Sequence, residues 1–309
     1  MRCHPLVVPA ACLAVLLLAA CGTQPDGTRP LIAVSGSSGA ASCDSPPTPT
    51  ASAGTGSSGA GSPGQGTEED GVRLVGGAAC PAFEITNSTA STATFTITYD
   101  LMTEGGEALT SGQETVPSVR PGGTVRRGLA EGDGGAGGGS HATHVRILKV
   151  RSVPTAEAPS SGGPCPPSGV HVYVDAGDAA MGLRVVGVHV QNCGTRAYRL
   201  DDYPRVQVLD ADHAAVGSVR IVHGADALAE GTGADAAPTR PVLAPGEGAH
   251  AELAWRNTTL MGSDPVNAPY VRVVPRPGAA AVMVTPELDL GTTGKLAVGA
   301  WQSDRTSPS

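Results

Sequence analysis

Residues 93–100 read Ala-Thr-Phe-Thr-Ile-Thr-Tyr-Asp, and this stretch indicates the fold more directly than any other part of the chain. Phe95, Ile97 and Tyr99 alternate with three threonines, so the large apolar side chains point to one side and the hydroxyls to the other. A repeat of two residues is the geometry of a strand with one buried face. We therefore predict a half-buried β-strand here, built from residue types that favour strands.

Short segments of the same character flank this strand. They are residues 81–87, 107–116, 123–127 and 144–153. Residues 104–107, Glu-Gly-Gly-Glu, predict a hairpin turn, and the Pro-Gly-Gly beginning at Pro121 interrupts the strand pattern again. Several short strands at regular spacing are typical of a small β-sandwich.

The C-terminal half shows the same alternation. In residues 183–192, Val186, Val188 and Val190 share a face opposite His189. Similar alternation occurs at residues 206–208, 251–255 and 271–273. No window has a convincing 3.6-residue period, so this half is also predicted to be an antiparallel sandwich.

The predicted fold class is therefore all-β, with two small immunoglobulin-like β-sandwich domains. Glycine (43) and proline (26) are abundant and aromatics make up only 3%, which favours turns and short strands over long helices. We assign the first domain to residues 68–154 and the second to residues 169–302. Residues 155–168 are predicted to be a linker, and residues 303–309 a tail.

The N-terminus predicts export and lipid anchoring. After Met1-Arg2, an apolar stretch reaches Ala20, which is shorter than the roughly 20 apolar residues of a membrane-spanning helix but suits a signal peptide. It ends in Leu-Ala-Ala-Cys-Gly at residues 18–22, which resembles the lipobox of bacterial lipoproteins. We predict a signal peptide over residues 1–20 and a diacylglycerol on Cys21. The alternative is an ordinary secretory signal with an incidental cysteine.

Residues 21–67 predict a tether. Beyond Cys21 they consist largely of Gly, Ser, Pro, Thr and Ala, with too little apolar surface to offset the entropy of ordering. A flexible chain of this length has a root-mean-square reach of roughly 35–40 Å. We therefore expect the folded domains to stand clear of the cell membrane, on its extracellular side.

Four cysteines remain after signal cleavage and lipidation: Cys43, Cys80, Cys165 and Cys193. An oxidising compartment favours disulfides, and three pairings are possible. The simplest joins Cys43 to Cys80 and Cys165 to Cys193. Zinc binding is the alternative, although the CxxC spacing common in zinc sites is missing.

Charge and motifs exclude several functions. The net charge of −8 and the absence of a basic stripe argue against nucleic-acid binding. The serine-hydrolase pattern G-x-S-x-G does not occur. The dinucleotide pattern G-x-G-x-x-G occurs at residues 54–59 and 132–137, but both lie in glycine-rich tracts without a strand leading into a helix. We therefore expect no catalytic site and no cofactor.

The histidines leave metal binding open. Outside the predicted signal peptide they are His141, His144, His171, His189, His213, His223 and His250. Copper or zinc requires several of these side chains to converge on one ion. His189 and His250 point outward in our strand register, so they meet only if their strands are neighbours. The other interpretation is that the histidines are scattered and solvated.

Acidic pairs and tryptophans were the other candidates for a binding site. Residues 210–212, Asp-Ala-Asp, begin like a calcium loop but lack the later glycine and glutamate, so we predict a hairpin turn. Asp201-Asp202 is predicted to be a solvated turn. Trp255 alternates with apolar residues and is expected in the core, whereas Trp301 is the candidate exposed ring. The loop at residues 224–239 is the segment that we expect either to contact a partner or to be disordered.

The second domain resembles the actinobacterial family known as domain of unknown function 4232. The resemblance rests on the segments Val190-Gln191-Asn192-Cys193-Gly194, Tyr198-Arg199-Leu200, Tyr203-Pro204-Arg205-Val206, Leu209-Asp210, Leu243-Ala244-Pro245-Gly246-Glu247 and Trp255-Arg256-Asn257. It covers residues 165–301 and implies a secreted or lipid-anchored immunoglobulin-like sandwich. It brings no known reaction, ligand or functional residue.

The sequence thus predicts a membrane-anchored lipoprotein that is not an enzyme. We expect a binding or scaffolding module whose partner is an envelope protein or polymer. The alternative is an extracytoplasmic copper- or zinc-binding protein that uses surface histidines.

Overall fold

In a computed structural model of the chain, the structure describes residues 68–76, 81–129, 144–224, 231–262 and 264–304. These residues are almost all strand, turn and loop, with one short 3₁₀ helix at Thr155–Glu157. The all-β prediction is confirmed. Residues 1–67, which contain the predicted signal peptide, Cys21, Cys43 and the tether, lie outside the described residues, as does Cys80.

Within the described residues, the first sandwich contains seven strands. They are β1 (Glu68–Glu69), β2 (Val72–Val75), β3 (Ala82–Thr86), β4 (Ala93–Met102), β5 (Ala108–Val119), β6 (Thr124–Gly128) and β7 (His144–Pro154). One sheet has the order β1-β2-β3-β6, and the other has the order β5-β4-β7. The predicted strands 81–87, 93–100, 107–116, 123–127 and 144–153 are thereby confirmed, whereas β1 and β2 were not predicted.

The core of the first sandwich lies between its two sheets. Phe95 and Ile97 of β4 are buried as predicted, and Tyr99 is half-buried. Tyr99 packs edge-to-face against Phe83 of β3, with ring centroids 5.4 Å apart. Alternation in β4 thus supplies one side of the core, and β3 supplies the facing side with Phe83 and Ile85.

In the part of the chain that the structure describes, the second sandwich contains fourteen strands, several of them very short. They are β8 (Val170–Val174), β9 (Asp178–Ala180), β10 (Leu183–Asn192), β11 (Tyr198–Arg199), β12 (Arg205–Leu209), β13 (Arg220–His223), β14 (Val242–Leu243), β15 (Gly248–Arg256), β16 (Val266–Ala268), β17 (Tyr270–Val274), β18 (Val282–Val284), β19 (Leu288–Gly291), β20 (Lys295–Val298) and β21 (Gln302–Ser303). The predicted strand at residues 183–192 matches β10 at both ends.

One seven-stranded sheet dominates this sandwich. Its main order is β13-β20-β15-β10-β8, with β9 paired to β10 and β21 paired to β15. Smaller sheets, β12-β17-β18, β11-β14 and β16-β19, supply the other strands. The buried core contains the predicted inward valines of β10 and Trp255 of β15. Trp255 is therefore a core residue, as predicted, and its indole Nε1 donates a hydrogen bond to Asp289.

A buried asparagine closes one corner of each sandwich in the same way. Asn87 follows β3, and its side-chain amide donates to the carbonyls of Ser91 and Val119, both at 2.8 Å. The backbone carbonyl oxygen of Asn87 accepts a hydrogen bond from the backbone N–H of Gly122, within the Pro-Gly-Gly turn. In addition, the amide oxygen of Asn87 accepts from the backbone of Thr89.

Asn192, the last residue of β10, repeats each of these bonds. Its amide donates to the carbonyls of Arg196 and Leu243 at 2.8 Å, and its amide oxygen accepts from Gly194. Its backbone carbonyl accepts from Gly246, which follows Pro245 as Gly122 follows Pro121. The two sandwiches therefore share one corner motif, an Asn paired with a distant Pro-Gly turn.

The two sandwiches contact each other directly. Val153 at the end of β7 is buried together with Leu209, Tyr270 and Met283 of the second sandwich. The Tyr270 hydroxyl accepts a hydrogen bond from the backbone of Ser152 at 3.2 Å. The segment predicted as a linker also touches the second sandwich: the backbone of Ser160 donates to the carbonyl of Val172 at 3.0 Å.

The disulfide between Cys165 and Cys193 is present, with Cα atoms 5.5 Å apart. It ties the chain just before β8 to the residue after β10. No helix in the described ranges is long and apolar enough to cross a membrane.

Candidate functional site

An open groove of about 610 Å³ lies on the second sandwich. Its walls come from three separate segments: the turn between β11 and β12, the strand β13, and the residues just before β14. The side chains that give it chemical character are Asp202, Tyr203, Arg205, Ile221, His223 and Arg240. The groove has the size of ordinary ligand pockets, which range from about 300 to 1,000 Å³.

Two stacked rings form one part of the groove. Tyr203 and His223 lie almost parallel, with centroids 4.3 Å apart and an angle of 7° between the planes. His223 is the last residue of β13, which pairs in parallel with β20 opposite Val298. Tyr203 is held by its turn, because the carbonyl of Asp202 accepts a hydrogen bond from the backbone of Trp301. Because the rings stack face to face, each covers one face of the other, and both residues line the groove.

A carboxylate and a guanidinium form the polar part. Arg240 donates two hydrogen bonds to Asp202, from Nε at 2.7 Å and from Nη2 at 2.8 Å. The hydrogen bond from Arg240 holds the pKa of Asp202 below its usual range, so this carboxylate is ionised near neutral pH. The paired geometry fixes both charges at the groove while leaving Arg240 exposed.

The prediction for Asp201-Asp202 was incomplete. Both residues lie in a turn, as expected, but Asp202 is paired with Arg240, which lies 38 residues further along the chain. No local pattern connects these positions. The only sequence signal was the Tyr203-Pro204 pair that follows the two aspartates.

The loop at residues 224–239 leads into Arg240. Residues 225–230 lie outside the described residues, but the later part packs on the large sheet. Ala234 is fully buried against Ala254 and Ala297, and Thr239 donates to the carbonyl of Trp301. The described part of this loop therefore helps to position the groove. Whether the loop contacts a partner remains a prediction.

The expectation of an exposed Trp301 is wrong. Its side chain is fully buried, and its indole Nε1 donates to the carbonyl of Pro275 at 3.1 Å. The residue lies between β20 and β21. A position near the C-terminus did not predict exposure of Trp301, because β21, which follows it, pairs with β15 in the large sheet.

The calcium interpretation of residues 210–212 also finds no support. The side chain of Asp210 accepts hydrogen bonds from the backbones of Asp212 and Ala214, and Leu209 bridges to Ala215. This is the hairpin turn that we predicted. The Asp210 side chain stabilises the turn by accepting hydrogen bonds from backbone N–H groups within it.

Three of the histidines have structural or groove roles. His171 is buried, and its Nδ1 shares a hydrogen bond with the Ser160 hydroxyl. His213 contacts the carbonyl of Ser152 in the first sandwich, and His223 belongs to the groove.

His144 is exposed at the start of β7, and His141 lies outside the described residues.

The remaining two, His189 and His250, lie side by side. Their strands are neighbours, which meets the condition set by the sequence, and the ring centroids are 6.0 Å apart. Among the described residues, however, no group of three or more His, Cys, Asp or Glu side chains is arranged to hold a metal ion.

Comparison with known proteins gives one match. Searches of curated proteins and of solved structures return nothing similar to the chain. A family model, described as Domain of unknown function (DUF4232), matches residues 165–302. This range contains the second sandwich, its disulfide and the groove, and it confirms the resemblance seen in the sequence. The C-terminal domain of the chain is thus similar to the DUF4232 family over residues 165–302.

Proposed function

We propose that the protein is a lipid-anchored extracytoplasmic binding protein without catalytic activity, and that the groove of the second sandwich holds its ligand. The proposed ligand is a polyhydroxylated polymer of the cell envelope, such as a polysaccharide. The observation that carries the proposal is the Tyr203–His223 stack beside the Asp202–Arg240 pair in one open groove.

The chemistry of the groove suits a sugar chain. A sugar ring has a C–H face, which packs on flat ring surfaces, and a rim of hydroxyls, which donate and accept hydrogen bonds. Asp202 offers acceptor oxygens and Arg240 offers N–H donors. Because the groove is open, a polymer can pass through it without its ends being enclosed.

The lining argues for binding over catalysis. Among the described residues that line the groove there is no Ser, Thr, Cys or Lys to act as a nucleophile. Its one histidine stacks on a tyrosine and has no carboxylate partner among the hydrogen bonds of the described chain. A Ser, Thr or Cys nucleophile requires such a base within hydrogen-bond distance. Of the two carboxylates in the lining, Asp202 is held by two hydrogen bonds from Arg240.

The proposed anchor rests on the sequence. Cys21 follows Leu-Ala-Ala directly, and the residues after it have the composition of a flexible tether. A diacylglycerol has two acyl chains, and each buried methylene contributes about 0.8 kcal/mol, enough for stable attachment. A tethered module with an open groove would bind a polymer close to the membrane.

The groove is tested by cosedimentation of the full-length protein with purified, insoluble cell-wall polymer. We expect the wild type to sediment and Tyr203→Ala to lose at least tenfold in affinity. Tyr173→Ala is the matched control, because Tyr173 also stacks on a histidine but lies outside the groove. Equal binding by the wild type and Tyr203→Ala, or no binding by either, would refute the groove as a polymer site.

The anchor is tested separately, by labelling cells with a fatty acid that carries a detectable group. The wild type should incorporate the label and fractionate with membranes, whereas Cys21→Ala should do neither. Labelling of the Cys21→Ala protein would show that the lipid is attached elsewhere.

A further inference from the structure

The strand register brings His189 and His250 together on the outer face of the large sheet. β10 and β15 are antiparallel neighbours, and in their register His189 lies directly opposite His250. The residues next to each histidine, such as Val188 and Ala251, are buried, so both imidazoles point away from the core. Their side chains are 24% and 33% exposed, which leaves them accessible to small ions.

A carboxylate contacts one ring nitrogen of each histidine. His189 Nε2 lies 3.0 Å from Asp175 Oδ2, and His250 Nδ1 lies 2.7 Å from Asp304 Oδ1. A carboxylate oxygen accepts hydrogen bonds, so this geometry favours the tautomer in which each of these nitrogens donates to its aspartate. The other nitrogens, His189 Nδ1 and His250 Nε2, then carry lone pairs and have no hydrogen-bond partner within the described ranges.

The Asp175 carboxylate is itself fixed in place. Its Oδ1 accepts hydrogen bonds from the backbones of Gly177 at 2.9 Å and Gly187 at 3.0 Å, while Oδ2 faces His189. Burial acts to raise the pKa of Asp175, but the hydrogen bonds from His189, Gly187 and Gly177 lower it overall. Gly187 also leaves the space that this contact needs, since a Cβ there would lie 2.9 Å from His189 Nε2.

The surroundings of the two rings are acidic. Besides Asp175 and Asp304, Glu252 lies two residues from His250 on the same strand face and opposite Gly187. It is half-buried. Three carboxylates, Asp175, Asp304 and Glu252, thus lie around the two imidazoles, and this arrangement favours cations over anions at this face of the sheet.

We propose that His189 and His250 bind one divalent transition-metal ion, with Asp175 and Asp304 as the residues that orient the imidazoles. Metal-ligating histidines almost always donate their other N–H to a carboxylate, a carbonyl or water, which is the arrangement found at both rings. Metal–nitrogen distances are about 2.0–2.1 Å, and a separation of 6.0 Å between the ring centroids is compatible with two rings that share one ion.

The ion keeps water in its remaining positions. Within the described part of the chain no third His, Cys, Asp or Glu is placed as a ligand together with these two. Among divalent first-row ions, Cu²⁺ binds nitrogen ligands most tightly, so it is the preferred probe, with Zn²⁺ as the comparison. The site is separate from the groove, since neither histidine lines it.

The test is titration of the full-length protein with Cu²⁺ and with Zn²⁺, using calorimetry for stoichiometry and electron paramagnetic resonance for the Cu²⁺ ligands. Because the whole chain contains other histidines and cysteines, the measured quantity is the difference between variants. We expect His189→Gln and His250→Gln each to remove one equivalent of Cu²⁺, with loss of the signal from two coordinated nitrogens. His223→Gln, the matched control in the groove, should keep that equivalent.

Asp175→Asn tests the orienting role. It should retain the signal of two coordinated nitrogens while weakening Cu²⁺ affinity by about 10–100-fold, the usual effect of losing such a partner. A merely structural role would leave the affinity for the ion unchanged.

Identical Cu²⁺ stoichiometry in the wild type, His189→Gln and His250→Gln would overturn the proposal. Tyr203→Ala should bind the ion normally, so failure of the metal site and failure of the groove are distinguishable. Unfolding midpoints within error of the wild type exclude misfolding as the cause of a lost equivalent. If one histidine variant is unstable, the other still decides the outcome.

Discussion

Arg151 of the first sandwich donates two parallel hydrogen bonds to Glu287 of the second, Nε to Oε1 and Nη2 to Oε2, each 2.8 Å long. Lys149 adds a second cation 3.4 Å from the same carboxylate. Glu287 holds this position with a left-handed backbone, φ 58°, which a non-glycine residue adopts only at a cost. The two sandwiches are therefore joined by a specific charged contact as well as by the apolar cluster around Val153.

Replacing Arg151 should weaken the second sandwich although the residue lies in the first. We expect Arg151→Ala to lower the free energy of unfolding by about 1–2 kcal/mol, the value for a charged hydrogen-bonded pair reduced for partial exposure. Both tryptophans of the chain are buried in the second sandwich, so their fluorescence reports its unfolding alone. The measurement is a urea titration followed by tryptophan emission.

Arg73→Ala is the matched control for this prediction. Arg73 pairs with Glu84 inside the first sandwich and is far more exposed than Arg151. The tryptophan transition of Arg73→Ala should coincide with that of the wild type. A shift of equal size in both variants would mean that Arg151 acts through the first sandwich and not through Glu287.

The corner asparagines should be equally important in the two sandwiches. Asn87→Ala removes the side-chain donor of the Val119 carbonyl, and Asn192→Ala removes that of the Leu243 carbonyl, at sites where the asparagine is at most 1% exposed. We expect each to cost about 2–4 kcal/mol, because unsatisfied buried polar groups carry their full desolvation penalty. Urea unfolding followed by circular dichroism measures both.

Neighbouring exposed residues provide the controls for the corner. Ser88→Ala and Gln191→Ala should change the free energy of unfolding by less than about 0.5 kcal/mol, as is usual for surface positions. A large effect at Asn192 with none at Asn87 would show that the shared geometry does not carry a shared energetic role.

The disulfide should stabilise the second sandwich strongly. Cys165 and Cys193 are 28 residues apart, and closing a loop of that length contributes about 3.5 kcal/mol in the chain-entropy model. The double variant Cys165→Ser, Cys193→Ser should lose about that amount in the tryptophan-monitored transition. An unfolding midpoint equal to that of the oxidised wild type would contradict the prediction and would mean that the disulfide does not stabilise the second sandwich.

Asp289 should make stability depend on pH in acid. Burial acts to raise the pKa of Asp289, but hydrogen bonds from Trp255 and Asn257 and the charge of Arg184 lower it overall. A pKa that is lower in the folded than in the unfolded state gives stability that is present above the ordinary value of 3.8 and is lost as the pH falls. The wild type should therefore lose stability relative to Asp289→Asn as the pH is lowered from 5 towards 3.

The comparison uses tryptophan emission at each pH, since Trp255 Nε1 donates to this carboxylate at 2.7 Å. Asp264→Asn, at an exposed position, should follow the wild type. Parallel curves for the wild type and Asp289→Asn across this range would assign the acid sensitivity to other carboxylates.

Most strands were predictable, whereas the candidate sites were predictable only in part. The alternation around Phe95 and within residues 183–192 is local and identifies both the strand and its buried face. The short strands β1, β2 and β11 show too few alternating residues to be found this way. The corner motif had a sequence signal, Asn followed at a distance by Pro-Gly in both halves, but the long and variable spacing hid it.

What the sequence determined by itself is which side chains face the core and which face solvent, because the strand period of two is fixed by the backbone of each segment. His189 and His250 were therefore assigned correctly to the outer face. Only the tertiary structure decided that they are opposite each other, that Asp202 meets Arg240, and that Arg151 reaches Glu287 across 136 residues. The order of strands in a sheet depends on pairing between distant segments, and no local pattern encodes which segments become neighbours.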